Sequence, residues 1–456
     1  MRLKLEESRI GELSALWTAA LSEPPPQNQN DLWKEHLEIR RVLGVVDGRP
    51  FNFREHLGRP DRAECVAKLV EWLKAEGVDC SKVDVRPVEF GYGLFAQSEL
   101  KAESVPLEIP HRLMLSLDYG AECDDIRKMH ASDHVLSSMS NVTLAMIVAY
   151  VTLEDDSRFT AYALKPSPVF EASLLMFRAV SRHFVYFLLR IVRDSALKQK
   201  FNPKVFDFRQ SPFNSDKFTF DFYRWCVSTV ATRMNNLPSQ QYKTPNGTPM
   251  LIPALIPLVD FANYEAADRG SAAMLFDAEA QAVQLQLSKT LQTGEEISLD
   301  YGRRSNGDFL LHNGFVPLGQ NEGNSYELKI GFPKTAESLA KQQHLKAKNI
   351  QPERGVYSFS LDREFVHRLD VGETALWQFA LVFVAADLEA IGNAENKQKA
   401  KQFLLQRLQL LQRAYAALPE SEDPNGDPIS RFVWRLKKSE VDVLKAVEQK
   451  IAAYST

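Results

Sequence analysis

The chain of 456 residues is 45% hydrophobic and 25% charged, too apolar for a disordered polymer and long enough for two or three domains of about 150 residues each. Lysine and arginine number 55 against 59 aspartate and glutamate, a net charge of -4. No global field draws nucleic acid or an anionic membrane, and neither is expected as a partner. The four cysteines, Cys65, Cys80, Cys123 and Cys226, lack the close spacing of a zinc or redox motif, so no metal and reduced thiols are predicted.

Glu6 and Glu7 fall where a signal peptide needs an apolar core. The apolar runs 144–151 and 379–386 are far shorter than the roughly 20 residues that span a bilayer. The expectation is a cytoplasmic protein, with nuclear presence compatible. Residues 1–80 read as a helical lead-in, with helical spacing over 32–46 and 62–76 and a stop at Gly77. From Lys82 the apolar period becomes two, giving short antiparallel strands around Val83, Val85, 92–96 and 105–109.

Helical patterning returns over 141–152, near 171–200 and over 218–233, so a helical insertion at about 120–217 interrupts the strands. The sequon Asn141-Val142-Thr143 reads as the start of a buried helix. A polar loop is expected before Leu255, then strands at 273–276 and 283–287 around a turn, and another at 296–300. Ser305-Asn-Gly-Asp308 has the form of a capping box opening a short helix that stops at Gly314. Beyond Glu327, long amphipathic stretches at 374–390, 396–417 and 435–454 predict an all-helical C-terminal domain. The division is thus 1–80, 81–325 and 326–456, an α+β protein.

Three blocks hold residues suited to chemistry. Gly91-Tyr-Gly93 lets backbone approach a ligand closely, although alone it is better described as a plain β-turn. Thr232-Arg-Met-Asn-Asn236, followed by the apolar run from Leu255 to Asp260 and Asn263, delivers polar groups from the rim of a core. An Asx turn explains that second run as well. In Gly294-Glu-Glu-Ile-Ser-Leu-Asp-Tyr301-Gly302 a tyrosine closes a buried strand and a glycine turns the chain.

In this order the blocks resemble the SET-domain protein methyltransferases, in the Rubisco-methyltransferase-like subgroup with a helical insertion and a helical substrate-binding domain. Phe222-Tyr-Arg-Trp-Cys-Val-Ser, Thr232-Arg-Met-Asn235, Ala254-Leu-Ile-Pro-Leu and Tyr301-Gly-Arg-Arg-Ser-Asn with His312-Asn-Gly-Phe315 are similar to the actin-histidine methyltransferases of that subgroup. The resemblance implies S-adenosylmethionine as cofactor, held by Arg62, Tyr92, Arg233, Asp260, Asn263, the backbone of Tyr264, and Phe315. It implies a protein substrate, actin foremost, and a monomeric enzyme.

Tyr301 is the implied orienting hydroxyl. Asn235 would hold one imidazole N–H so that the other nitrogen keeps its lone pair free, and Arg304 would line the peptide groove unless it is simply a solvated charge beside a helix start. Val259 stands where the histidine enzymes carry an aromatic wall of the substrate pocket. Two alternatives therefore stay open: a lysine acceptor, or a catalytically weak SET-like binding protein.

Overall fold

A computed structural model describes residues 7–21, 24–26, 29–47, 62–89, 91–154, 174–189, 211–214, 218–319, 321–333, 335–353, 355–417, 419 and 421–455. Phe90, and the parts of the expected 171–200 helix beyond Leu174–Leu189, lie outside them. The chain divides into two compact units, Met1–Asp300 with Leu311–Gly314, and Tyr301–Leu310 with Phe315–Thr456.

The first unit opens with helices Glu7–Leu16, Gln29–Asp47 and Arg62–Ala75. The last ends at Gly77 with φ +88°, where the Val78 amide donates to the Leu73 carbonyl at 2.9 Å and the Gly77 amide to that of Lys74 at 3.0 Å. This paired closure needs a left-handed residue, which glycine supplies without steric cost. The strands β1 (Val83–Val88), β2 (Gly91–Ala96) and β3 (Leu107–Pro110) follow.

Next come β4 (Leu115–Ser116) and helices Leu117–Glu122, Asp124–Ser132, His134–Ser138 and Ser140–Leu153. Every residue from Val142 to Val151 is buried, so this helix is apolar all round and sits within the core. Thr143, the sequon hydroxyl, donates to the Leu136 carbonyl at 2.6 Å. The helix Phe220–Arg233 packs on it.

The expected polar loop before Leu255 is instead a hairpin of β5 (Asn235–Lys243) and β6 (Pro249–Leu255). Pro238, Pro249 and Pro253 argued against strands. Those prolines are tolerated because β5 is an edge and β4 reaches only Ala254 and Leu255 of β6. Pro245-Asn246-Gly247 makes the turn, with Gly247 at φ +80°. Asparagine followed by glycine is the signal that marks it.

The remaining strands of the unit are β7 (Asn263–Tyr264), β8 (Ala272–Asp277), β9 (Ala282–Leu287) and β10 (Glu296–Leu299). They complete a sheet of order β1-β2-β10-β8-β9-β3, with β7 beside β10. Most pairs are antiparallel, but β10 runs parallel to both β7 and β8, which corrects the purely antiparallel expectation.

In the second unit the capping box forms as expected, Ser305 and Asp308 each accepting from the other's backbone amide. The C-terminal region is not all-helical. Strands β11 (Ser325–Gly331) and β12 (Val356–Asp362) pair along their whole length. Leu328 and Ile330 on one strand, and Tyr357, Phe359 and Leu361 on the other, alternate inward to a core shared with helices Ala375–Val384, Ala394–Ala414 and Pro428–Ala453. A strand pair standing between periodic helices supplies one apolar face, and the helices cover it.

Candidate active site

The strand register of the first unit brings three sequence-distant blocks together. β10 pairs with β2 through Glu296 opposite Phe95 and Ile297 opposite Leu94, and with β7 through Ser298 opposite Asn263. Asn263 therefore lies beside the Gly91-Tyr-Gly93 strand. Its Nδ2 donates to the Tyr92 carbonyl at 3.2 Å and to Glu296 Oε1 at 2.8 Å.

Gly93 is where that packing closes. A Cβ there would stand 2.5 Å from Glu296 Oε1 and 3.1 Å from Asn263 Nδ2, so a side chain at this point would displace the carboxylate and crowd the amide. The two glycines of the motif thus act differently: Gly91 takes φ +135°, which side chains rarely adopt, while Gly93 supplies space. The Tyr92 ring meets Phe261 edge-on at 6.3 Å.

Arg233, Asn235 and Asp260 form a second cluster in the same unit. Arg233 ends the helix Phe220–Arg233, and its Nη1 donates to the Asp260 carbonyl at 2.9 Å. Asn235 opens β5, and its Nδ2 donates to the Arg233 carbonyl at 3.1 Å. That commits the amide nitrogen and leaves the Oδ1 end as the acceptor.

Asp260 is set by an unusual bend. Leu258, 1% exposed, has φ 61° and ψ -44°, and the Val259 amide donates to the Pro257 carbonyl at 2.8 Å. This is a strained γ-turn, costing on the order of 1–3 kcal/mol. The Asp260 carboxylate closes the loop by accepting from the Ile256 amide at 3.2 Å.

Val259 is 1% exposed and packs into the core of the first unit. The half-buried Tyr264 pairs with Leu299. Burial first, then Asp300, pushes its phenol above the usual range. Arg62 begins its helix, and its side chain lies outside the described residues. A groove of about 420 Å³ is lined by Met234 and Asn236, the neighbours of Asn235, together with Met139, Asn141, Leu251 and Pro253.

Tyr301, Phe315 and Arg304 belong to the second unit. The Tyr301 and Phe315 rings meet edge-on at 6.4 Å, and Phe309 lies 5.3 Å from Phe315. Arg304 is half-buried, its carbonyl accepting from Asn321 Nδ2 at 2.9 Å. Sequence reasoning assigned no role to Glu296 or Phe261. Glu296 stood in a recognised block, and the register of β10 against β2 is what points it at Gly93.

Among the described residues no helix is long and apolar enough to cross a membrane, and no three His, Cys, Asp or Glu side chains are grouped to hold a metal. No protein-family model matches the chain. It is 25% identical to the actin-histidine N-methyltransferase of Danio rerio over 96% of this chain and 75% of the relative. The Xenopus tropicalis enzyme of that name is 26% identical, over 91% and 74%, and that of Homo sapiens 24%, over 88% and 69%.

Among solved structures, the SET domain of LSMT bound to lysine and AdoHcy superposes with TM-score 0.55 at 15% identity, covering 86% of this chain and 92% of the other. Rubisco LSMT bound to AdoMet gives 0.55 at 16%, covering 85% and 91%. By sequence the chain is similar to the actin-histidine N-methyltransferases, and its fold is that of the SET domain of Rubisco LSMT.

Proposed function

We propose that this chain is an S-adenosylmethionine-dependent protein N-methyltransferase whose acceptor is a histidine, with actin as the substrate. The observation that carries the reading is the cradle at Gly93, where the missing Cβ, the Asn263 amide and the Tyr92 backbone meet. The Arg233 guanidinium, held at the carbonyl of Asp260 three residues before Asn263, suits the carboxylate at the amino-acid end of the cofactor. Bound there, S-adenosylmethionine supplies a sulfonium methyl group to a nitrogen lone pair.

The chain's own residues then have to orient that nitrogen and keep water away. An imidazole with a reference pKa near 6.5 is mostly neutral at physiological pH, whereas a lysine near 10.4 must first lose a proton. Asn235 needs only to accept one ring N–H through Oδ1, which selects the tautomer. Tyr301, two residues beyond the end of β10, is the hydroxyl that orients the acceptor. Arg304 would hold the flanking peptide. Actin as substrate carries with it a cytoplasmic place of work.

Incubation with unmodified actin and methyl-labelled cofactor, followed by peptide mass spectrometry, tests the proposal. Label on a histidine is the expected result. Label confined to lysine reassigns the acceptor, and absence of both label and cofactor binding removes the enzymatic reading.

A further inference from the structure

We propose that Glu296 is a positioning residue for the cofactor: its carboxylate fixes which end of the Asn263 amide faces the ligand, presenting Oδ1 to an α-ammonium group. This rests on the cradle being the S-adenosylmethionine site. An asparagine amide has two ends of nearly equal shape and opposite hydrogen-bonding sense. What surrounds it decides which end points where.

Two acceptors face the Nδ2 end, the Tyr92 carbonyl at 3.2 Å and Glu296 Oε1 at 2.8 Å. An ionised carboxylate and a backbone carbonyl accept only. Turning the amide over would set its oxygen against both, opposing like partial charges at hydrogen-bond distance. The backbone at Glu296 is held because β10 is paired on both sides, to β2 through Glu296 itself and to β7 through Ser298. Gly93 leaves the room in which the carboxylate sits.

Asn263 is expected among the residues that hold the cofactor, and its donors are committed to the protein. Its oxygen suits an ammonium instead, and Arg233 is left as the cation for the carboxylate. The two clusters would thereby sort the two ends of an α-amino acid.

Calorimetric titration with S-adenosylhomocysteine, and with its analogue lacking the α-amino group, tests this without turnover. Glu296→Ala is expected to weaken S-adenosylhomocysteine about tenfold, the scale of one hydrogen bond to a charged group. Glu296→Gln, whose oxygen still accepts, should stay within about threefold of the parent. The des-amino analogue should bind the parent and Glu296→Ala alike.

Equal affinity of the parent and Glu296→Ala for S-adenosylhomocysteine overturns the inference. So does an equal loss for both ligands, which marks general loosening, or a Glu296→Gln as weak as the alanine variant. A parent protein that binds neither ligand sinks the methyltransferase reading itself, and the inference with it.

Discussion

Asp118 in the first unit and Glu440 in the second are both carboxyls drawn out of water, and their protons respond in opposite directions. Burial alone would raise Asp118, but His111, the Ser239 hydroxyl and the amides of Gln240 and Gln241 outweigh it and hold the carboxyl below its usual range. Ser239 Oγ donates at 2.5 Å and the Gln240 amide at 2.7 Å. His111 Nε2 lies 3.2 Å from Oδ2 but off the line a hydrogen bond needs, so its contact is electrostatic. Burial pushes Glu440 up, and the single hydroxyl of Tyr415 offsets only part of that. The number of donors that the backbone brings decides the sign.

The difference has a structural purpose in each unit. Asp118 gathers the bulged stretch of β5 between Pro238 and Lys243, and β5 begins with Asn235. A charged staple thus shapes the strand that carries a site residue. The second unit is held by aromatic packing: Phe379 lies 4.9 Å from Tyr357 and 5.1 Å from Phe359. Its Glu440 is a tolerated cost at the edge of that core.

If this contrast is right, Phe379→Ala, at a fully buried position, should destabilise by about 4 kcal/mol, read by denaturant unfolding. A loss below 1 kcal/mol would mean the aromatic cluster is not what holds the second unit. Asp118→Ala should cost about 3 kcal/mol by leaving buried donors without their acceptor. The effect should shrink in acid. A carboxyl whose folded pKa is depressed contributes stability above its unfolded pKa and loses it as pH falls through the folded value. Parent and variant melting curves that stay equally far apart at low pH contradict the assigned charge.

Tyr301→Phe should lower the rate of methyl transfer on the order of 10²-fold while leaving the affinity for S-adenosylhomocysteine unchanged. Equal losses in both would contradict the proposed role of Tyr301 as the hydroxyl that orients the acceptor. The smallest effect is expected from Glu440→Gln. Because the folded pKa is raised, the carboxyl's contribution is present below its unfolded pKa and lost as pH rises through the folded value. The variant should therefore flatten the decline in melting temperature toward higher pH, and an unchanged slope would show that Glu440 is not its source.

Helices declared themselves through period and punctuation. Gly77, the Ser305 capping box and the unbroken apolar stretch from Leu144 to Val151 each stand where sequence reading put them. The strand pairs β5–β6 and β11–β12 did not, though their signals were present. Asn246-Gly247 marks one turn, and Tyr357-Ser-Phe359-Ser-Leu361 alternates without interruption. Prolines masked the first pair. The second was hidden by distance, since a helix at Ala336–Ala347 separates its strands.

Motif order and residue type were enough to indicate an α+β fold resembling the SET-domain proteins and to single out Tyr92, Arg233, Asn235, Asp260, Asn263 and Tyr301 as candidates. Tertiary structure alone decided that Gly93 is needed for space, that Val259 is core, and that Glu296 faces Asn263. The reason is register: a strand's side chains alternate, and which of them meet across a sheet depends on pairings with segments far along the chain. No single segment contains that information.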